Sequence, residues 1–256
     1  MKLHYRIYGE GSPLFILHGL FGSADNWNSL AKQYAKYFEV YVIDQRNHGL
    51  SPHDDEWNYD VMTDDLIEII QDKSLNSVYL IGHSMGGKTA MFAACRYPDI
   101  FKKLIVADIA LRYYPVHHTE IITVLSAFPL HEISSRQQAD EWLASRITDF
   151  GVRQFLLKNL YRNTNGGFSW RFNLSVIKEK IESVGRALPT DFHYSQPALF
   201  IKGEKSNYIS QSDATDIKKQ FPKADIITIK GAGHWVHAEQ PEAFLNQSIS
   251  FLLNGE

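Results

Sequence analysis

The chain has 256 residues, 44% hydrophobic and 21% charged, with a formal net charge of -3; this suits one folded unit with a sizeable core and excludes a disordered chain. The longest basic clusters are pairs such as Lys102–Lys103 and Lys218–Lys219, too sparse to follow a phosphate backbone, so no nucleic-acid partner is expected. A lone cysteine, Cys95, fits a reducing compartment, the opening MKLHYRIYGEGSP lacks the apolar stretch of a secretory signal, and no segment reaches the ~20 apolar residues of a membrane span, so a cytoplasmic location is expected.

In chain order, Pro13–Leu17 is a short apolar run ending at His18–Gly19. Trp27, Leu30, Ala31, Tyr34 and Phe38 then fall on one face of a predicted helix. Val40–Asp44 is a second strand-like run, followed by a helical pattern over Asp60–Gln71. Ser77–Ile81 is a third run, and residues 85–97 read as a helix that Pro98 stops. Leu104–Ala107 is a fourth run, ending at Asp108. Apolar strands alternating with amphipathic helices predict an α/β fold, with a mostly parallel central sheet flanked by helices.

The alternation stops near residue 111. Residues 111–190 are mostly helical in pattern, with Trp142, Phe155, Leu156, Leu157 and Trp170 among their large apolar groups; Phe168, Trp170 and Phe172 alternate as in a short extended piece. We expect an inserted, mainly helical cap over 111–190, with 1–110 and 191–256 forming the core. Alternation resumes at Pro197–Lys202, a helix near Ser212–Gln220, a strand over Ile226–Ile229 and a closing helix over 241–253.

Gly82–His83–Ser84–Met85–Gly86 is G-x-S-x-G, placed where a strand ends and a helix opens. That setting makes Ser84 a candidate nucleophile on a sharp, strained turn, with glycines where strand and helix approach. His83 should point elsewhere and serve as a structural or cavity-lining group, and Cys95 is expected to be buried rather than reactive. A serine hydroxyl needs a general base, usually histidine. Gly231–Ala232–Gly233–His234–Trp235 follows the last strand, which makes His234 the candidate, with His237 as second choice.

The acid is sought first after Pro197–Lys202. There Ser206 occupies the slot where an aspartate would stand, and Glu204 lies two residues too early. The other place is the end of the strand after the nucleophile helix, where Asp108 shares the sheet edge with Ser84; Asp108 is the candidate and Glu204 the runner-up. An oxyanion needs N–H donors. Met85 supplies one, and Leu20, in His18–Gly19–Leu20–Phe21–Gly22, supplies the second, or Phe21 if the loop is offset by one. His18 should buttress that loop. Asp44 and Arg46 should hold the next loop, with Gly49 and Ser51 turning it and Asn47 or His48 approaching the site.

These residues together resemble the α/β-hydrolase superfamily with a serine nucleophile. HGLFGS at 18–23, DQRNHGLSPH at 44–53, GHSMGGK at 82–88, ADIA at 107–110 and GAGHWVHAE at 231–239 are similar to the branch of YbfF-type bacterial esterases and a related mitochondrial protein. The resemblance covers essentially the whole chain. It implies a carboxylesterase of small or medium acyl esters, with acyl-CoA thioesters as a further class. It also implies an acid at Asp108, because that branch likewise lacks the later aspartate.

Two other readings stay open on the residues alone. One is a carbon–carbon bond hydrolase or elimination catalyst of the same fold, against which Ser206 speaks. The other is a non-catalytic ligand-binding or interaction protein, against which the intact candidates speak. No cofactor and no metal site are expected: there is no H-E-x-x-H, and the adjacent His117 and His118 would face apart on a helix. The expected partner is a small acyl ester or thioester. Lys88, Arg46 and Arg112 are the cations considered for a coenzyme A leaving group. Oligomeric state is left open.

Overall fold

The computed structural model describes residues 1–116 and 118–254; His117, half of the His117–His118 pair, lies outside them. The core strands are β1 (Tyr5–Tyr8), β2 (Ser12–Leu17), β3 (Phe38–Ile43), β4 (Val78–His83), β5 (Phe101–Ala107), β8 (Ala198–Gly203) and β9 (Ala224–Ile229). They form a seven-stranded sheet in the order β1-β3-β2-β4-β5-β8-β9. Only β1 runs antiparallel, against β3; the other pairings are parallel.

The apolar runs are buried on both faces because successive side chains point to opposite sides. Leu14 and Ile16 pack with α1 (Asn28–Tyr34) and α11 (Pro241–Leu253) on one face. Phe15 and Leu17 pack on the other with α2 (Tyr59–Asp72) and α3 (Met85–Arg96). Asn58 caps α2, its side chain accepting from the N–H groups of Asp60 and Val61.

Between β5 and β8 lie α4 (Thr119–Ser126), α5 (Arg136–Ala144), α6 (Phe150–Leu157), the β6 (Leu160–Arg162)–β7 (Phe168–Trp170) hairpin, α7 (Leu174–Lys180) and α8 (Glu182–Gly185). The core is completed by α9 (Asp213–Gln220) and the short α10 (Val236–Glu239).

Two differences from the sequence expectation have simple causes. Phe38 belongs to β3 and not to the first helix, which ends at Tyr34; Phe38 is buried in the same cluster as Trp27 and Leu30, so a strand residue mimics the helical spacing. The edge strand β1 has no fully buried residue and exposes Ile7, so it shows no alternating apolar face to read.

Candidate active site

The parallel strands deliver their C-terminal ends to one edge of the sheet. There β4 turns sharply into α3 at Ser84, whose backbone has φ 53 and ψ -116. A non-glycine residue at positive φ of this kind stores on the order of 1–3 kcal/mol of strain. The fold holds it: Ser84 N–H donates to Ala107 O at 3.0 Å and Lys88 N–H donates to Ser84 O at 3.0 Å. The flanking glycines are required by contact, since a Cβ on Gly82 would lie 2.2 Å from Gly86 O and one on Gly86 would lie 2.5 Å from Leu17 O.

Asp108, at the end of β5, is fully buried. Its Oδ1 accepts from Gly203 N–H at 3.0 Å, and its Oδ2 accepts from the Ser206 hydroxyl and from His234 Nδ1 at 2.8 Å. A carboxylate only accepts, so Nδ1 of His234 carries the proton and Nε2 presents its lone pair. The His234 ring is stacked on Tyr208 with centroids 3.9 Å apart. Glu204 is directed elsewhere: its Oε2 accepts from Gly231 N–H at 2.8 Å and so steadies the loop that carries His234. His237 is buried and stacked on Trp27 at 4.2 Å, and burial with His234 nearby lowers its pKa to about 3.

His83 lines the cavity with Ser84, and its Nε2–H donates to His234 O at 2.9 Å. Burial, with His237 and His234 close by, pushes its imidazole well below the ordinary 6.5 and keeps it neutral. Cys95 is partly buried, and burial pushes its thiol up to about 12.

The loop after β2 is held by two more buried histidines. His18 Nδ1–H donates to Gly19 O at 2.8 Å while its Nε2 accepts from Gln45 N–H at 3.0 Å. His48 Nε2 accepts from Phe21 N–H at 3.2 Å while its Nδ1–H donates to Arg46 O at 3.0 Å. Each needs a neutral ring, and burial supplies it, lowering His48 to about 3 and moving His18 in the same direction. The Phe21 N–H is therefore already engaged, and Leu20 lines the cavity beside Ser84.

Asp44 accepts from Ala24 N–H at 2.6 Å and Leu50 N–H at 3.0 Å, and Arg46 grips Asp65 at 2.6 and 2.9 Å. Arg46 is thus a buried brace and not a free cation. Lys88 is another. It has no exposed surface, and its Nζ donates to the carbonyls of Leu111, Arg112 and Arg186 at 2.9, 2.8 and 3.0 Å. Burial, with Arg112 nearby, pulls it down to about 7. Arg112 is half-exposed and paired with Asp213 at 3.2 Å.

A cavity of about 260 Å³ opens beside Ser84. Leu20, Phe21, His234 and Trp235 line it from the core, and Ile121, Val152 and Phe155 from the segment between β5 and β8. Sequence reasoning missed Tyr208, which no periodicity marks. It also valued Ser206 only for the charge it lacks, whereas its hydroxyl donates to Asp108. Among the described residues no cluster of histidine, cysteine and acidic groups could hold a metal, and no helix is long and apolar enough to cross a membrane.

The chain as a whole has counterparts in known proteins. A model of the alpha/beta hydrolase family matches residues 14–247. The chain belongs to the alpha/beta hydrolase family. Among this hydrolase's relatives, the Escherichia coli esterase YbfF is 38% identical, covering 95% of this chain and 94% of that protein. The sn-1-specific diacylglycerol lipase ABHD11 of Mus musculus is 39% identical, covering 93% of this chain and 80% of that protein. A solved marine microorganism esterase superposes with a TM-score of 0.95 at 44% identity, covering 98% of this chain and 99% of that one. Family and relatives together make the chain a hydrolase enzyme.

Proposed function

We propose that this hydrolase is a serine carboxylesterase acting on short- to medium-chain acyl esters through a covalent acyl-enzyme. The observation that carries this reading is the 2.8 Å bond from His234 Nδ1 to buried Asp108, at the wall of the cavity that Ser84 lines. Ser84 Oγ attacks the ester carbonyl and passes its proton to His234 Nε2. The C–O bond to the alcohol then breaks, and the same proton leaves with the alcohol oxygen. Water repeats the sequence on the acyl-enzyme and releases the acid. Asp108 fixes the His234 tautomer and stabilises the imidazolium that forms.

Backbone N–H groups of Leu20 and Met85 receive the oxyanion. Met85 opens α3, where unpaired N–H groups and the helix dipole both favour negative charge. The segment 111–190 acts as a cap that encloses the substrate. Relatives named esterase and lipase support ester substrates. Thioesters are open to the same chemistry, but a coenzyme A leaving group would find Lys88 and Arg46 already committed to internal partners.

The test is kcat/KM for p-nitrophenyl esters from acetate to palmitate, with Ser84→Ala as the blank. Turnover that falls on the order of 10⁴–10⁶-fold in the blank is expected. No turnover above the blank across the series would overturn the reading.

A further inference from the structure

Ser84 borders two spaces, and they differ in size and in their relation to the base. The larger, about 260 Å³, is also bordered by His234 and Trp235. The smaller, about 20 Å³, is bordered by Met85, Ile109, Val116, Ile181 and Val184, and His234 is not among its walls. We propose that the site divides its ester unequally: an acyl group of about two carbons occupies the small space, and a large apolar alcohol fills the main cavity. This rests on the serine esterase reading and narrows its acyl range to the shortest groups, with the larger part of the ester on the alcohol side.

The direction follows from proton transfer. The proton that His234 takes from Ser84 must reach the leaving alcohol oxygen, which therefore lies on the His234 side. The alcohol extends into the space that His234 borders, and the acyl chain takes the other way out from Ser84. A volume of 20 Å³ is near the ~10–15 Å³ that admits one water-sized sphere, so it accepts a methyl and resists a longer chain.

Two of its sides are held in place. Met85 and Ile109 are buried against the sheet. The opposite wall, Ile181 and Val184, is tied down where Tyr59 Oη donates to Val184 O at 2.6 Å and Lys88 Nζ donates to Arg186 O at 3.0 Å. The main cavity is walled by Leu20, Phe21, Ile121, Val152 and Phe155, which suits an apolar alcohol.

Two isomeric esters separate the assignments: octyl acetate and methyl nonanoate have the same atoms, with the long chain on opposite sides of the ester. We expect kcat/KM for octyl acetate to exceed that for methyl nonanoate by about 100-fold, since excluding even one methylene can change the ratio 10- to 200-fold. In Ile181→Ala/Val184→Ala, the ratio of methyl butanoate to methyl acetate turnover should rise about tenfold. Equal rates, or a preference for methyl nonanoate, would overturn the division while leaving the serine esterase standing. No turnover of either isomer or of any p-nitrophenyl ester above Ser84→Ala would remove both.

Discussion

The loops after β2 and β3 are braced by hydrogen bonds from buried side chains, whereas the segment between β5 and β8 adds a cluster of packed rings to its own hydrogen bonds, such as those of Arg136 to Leu157 O and Leu160 O at 2.7 Å. In the first region the side chains of His18, His48, Asp44 and Gln45 satisfy backbone groups of Gly19, Phe21, Ala24, Gln45 and His18 over distances of 2.6 to 3.2 Å. In the second, Phe128 meets Trp142 and Trp170 at 5.1 and 5.0 Å, and Trp170 stacks on Phe172 at 5.3 Å. On the proposed serine esterase reading, the contrast follows from what each region supplies. An oxyanion donor misplaced by an ångström loses most of its effect, so it needs angle-dependent bonds. A chain-binding wall needs volume and water exclusion, which packed aromatic rings provide with looser geometry.

The largest effect should come from the polar side. Asp108→Asn keeps the size of the side chain but places an amide where His234 Nδ1–H and Ser206 both donate. The imidazole is then held in the wrong tautomer, and kcat should fall about 10⁴-fold with the fold retained. Phe155→Ala, on the ring-packed side, should change kcat less than about tenfold while altering which alcohols are accepted. Steady-state kinetics on both variants, with circular dichroism as a control, decides the matter. A comparable kcat loss in Phe155→Ala would erase the distinction.

Lys88 ties the second region to the core. It lies on α3, and its three carbonyl partners sit at Leu111, Arg112 and Arg186, close to both junctions of the intervening segment. Lys88→Met preserves the stem and leaves three carbonyls, one buried and two part-buried, without their donor, so stability should drop by about 2–4 kcal/mol. Urea midpoints give the measurement, and an unchanged midpoint would show that the carbonyls find water instead.

Two buried histidines, His48 of the polar region and His237 of α10, predict a pH dependence of stability. His48 and His237 are lowered from an ordinary 6.5 to about 3. Between those values the unfolded chain takes up protons that the folded chain refuses. Stability is therefore full above about 6.5 and declines as pH falls toward about 3. His48→Gln removes one of these groups, so its urea midpoint should decline less steeply between pH 6.5 and 4.5. Parallel lines for the two proteins would show that His48 charges in the folded state without cost.

The sheet was legible because its evidence is local. Runs such as Ser77–Ile81 and Val40–Asp44 are apolar enough to announce burial on both faces, and G-x-S-x-G marks its own turn. Asp108 and His234 stand out because each follows a strand, and the fold brings them within 2.8 Å. What was not legible depends on distant partners. Phe38 satisfied a helical spacing while belonging to β3. The three carbonyls around Lys88 lie 23, 24 and 98 positions away, and no periodicity records such a contact. Tyr208 reaches His234 from a loop whose residues show no pattern at all.

Ser206 gives the finest test, because its position carried a signal whose meaning the residues alone left open. It stands where an aspartate was sought, and its hydroxyl instead donates to the aspartate at the end of β5. The two positions therefore converge on one point, Asp108 Oδ2, which is also the acceptor for His234 Nδ1. Losing that hydroxyl in Ser206→Ala removes one of three hydrogen bonds on the carboxylate, worth about 1 kcal/mol. A kcat loss of about fivefold with KM unchanged is expected. If convergence is the right description, a carboxylate on residue 206 can replace the one on residue 108. Ser206→Asp placed in the Asp108→Asn background should then recover about tenfold of the lost kcat, whereas Ser206→Asp alone sets two carboxylates side by side and should lower activity. Failure of the double variant to exceed Asp108→Asn would mean that residue 206 reaches the acid but not the histidine, and the two positions would be neighbours without being alternatives.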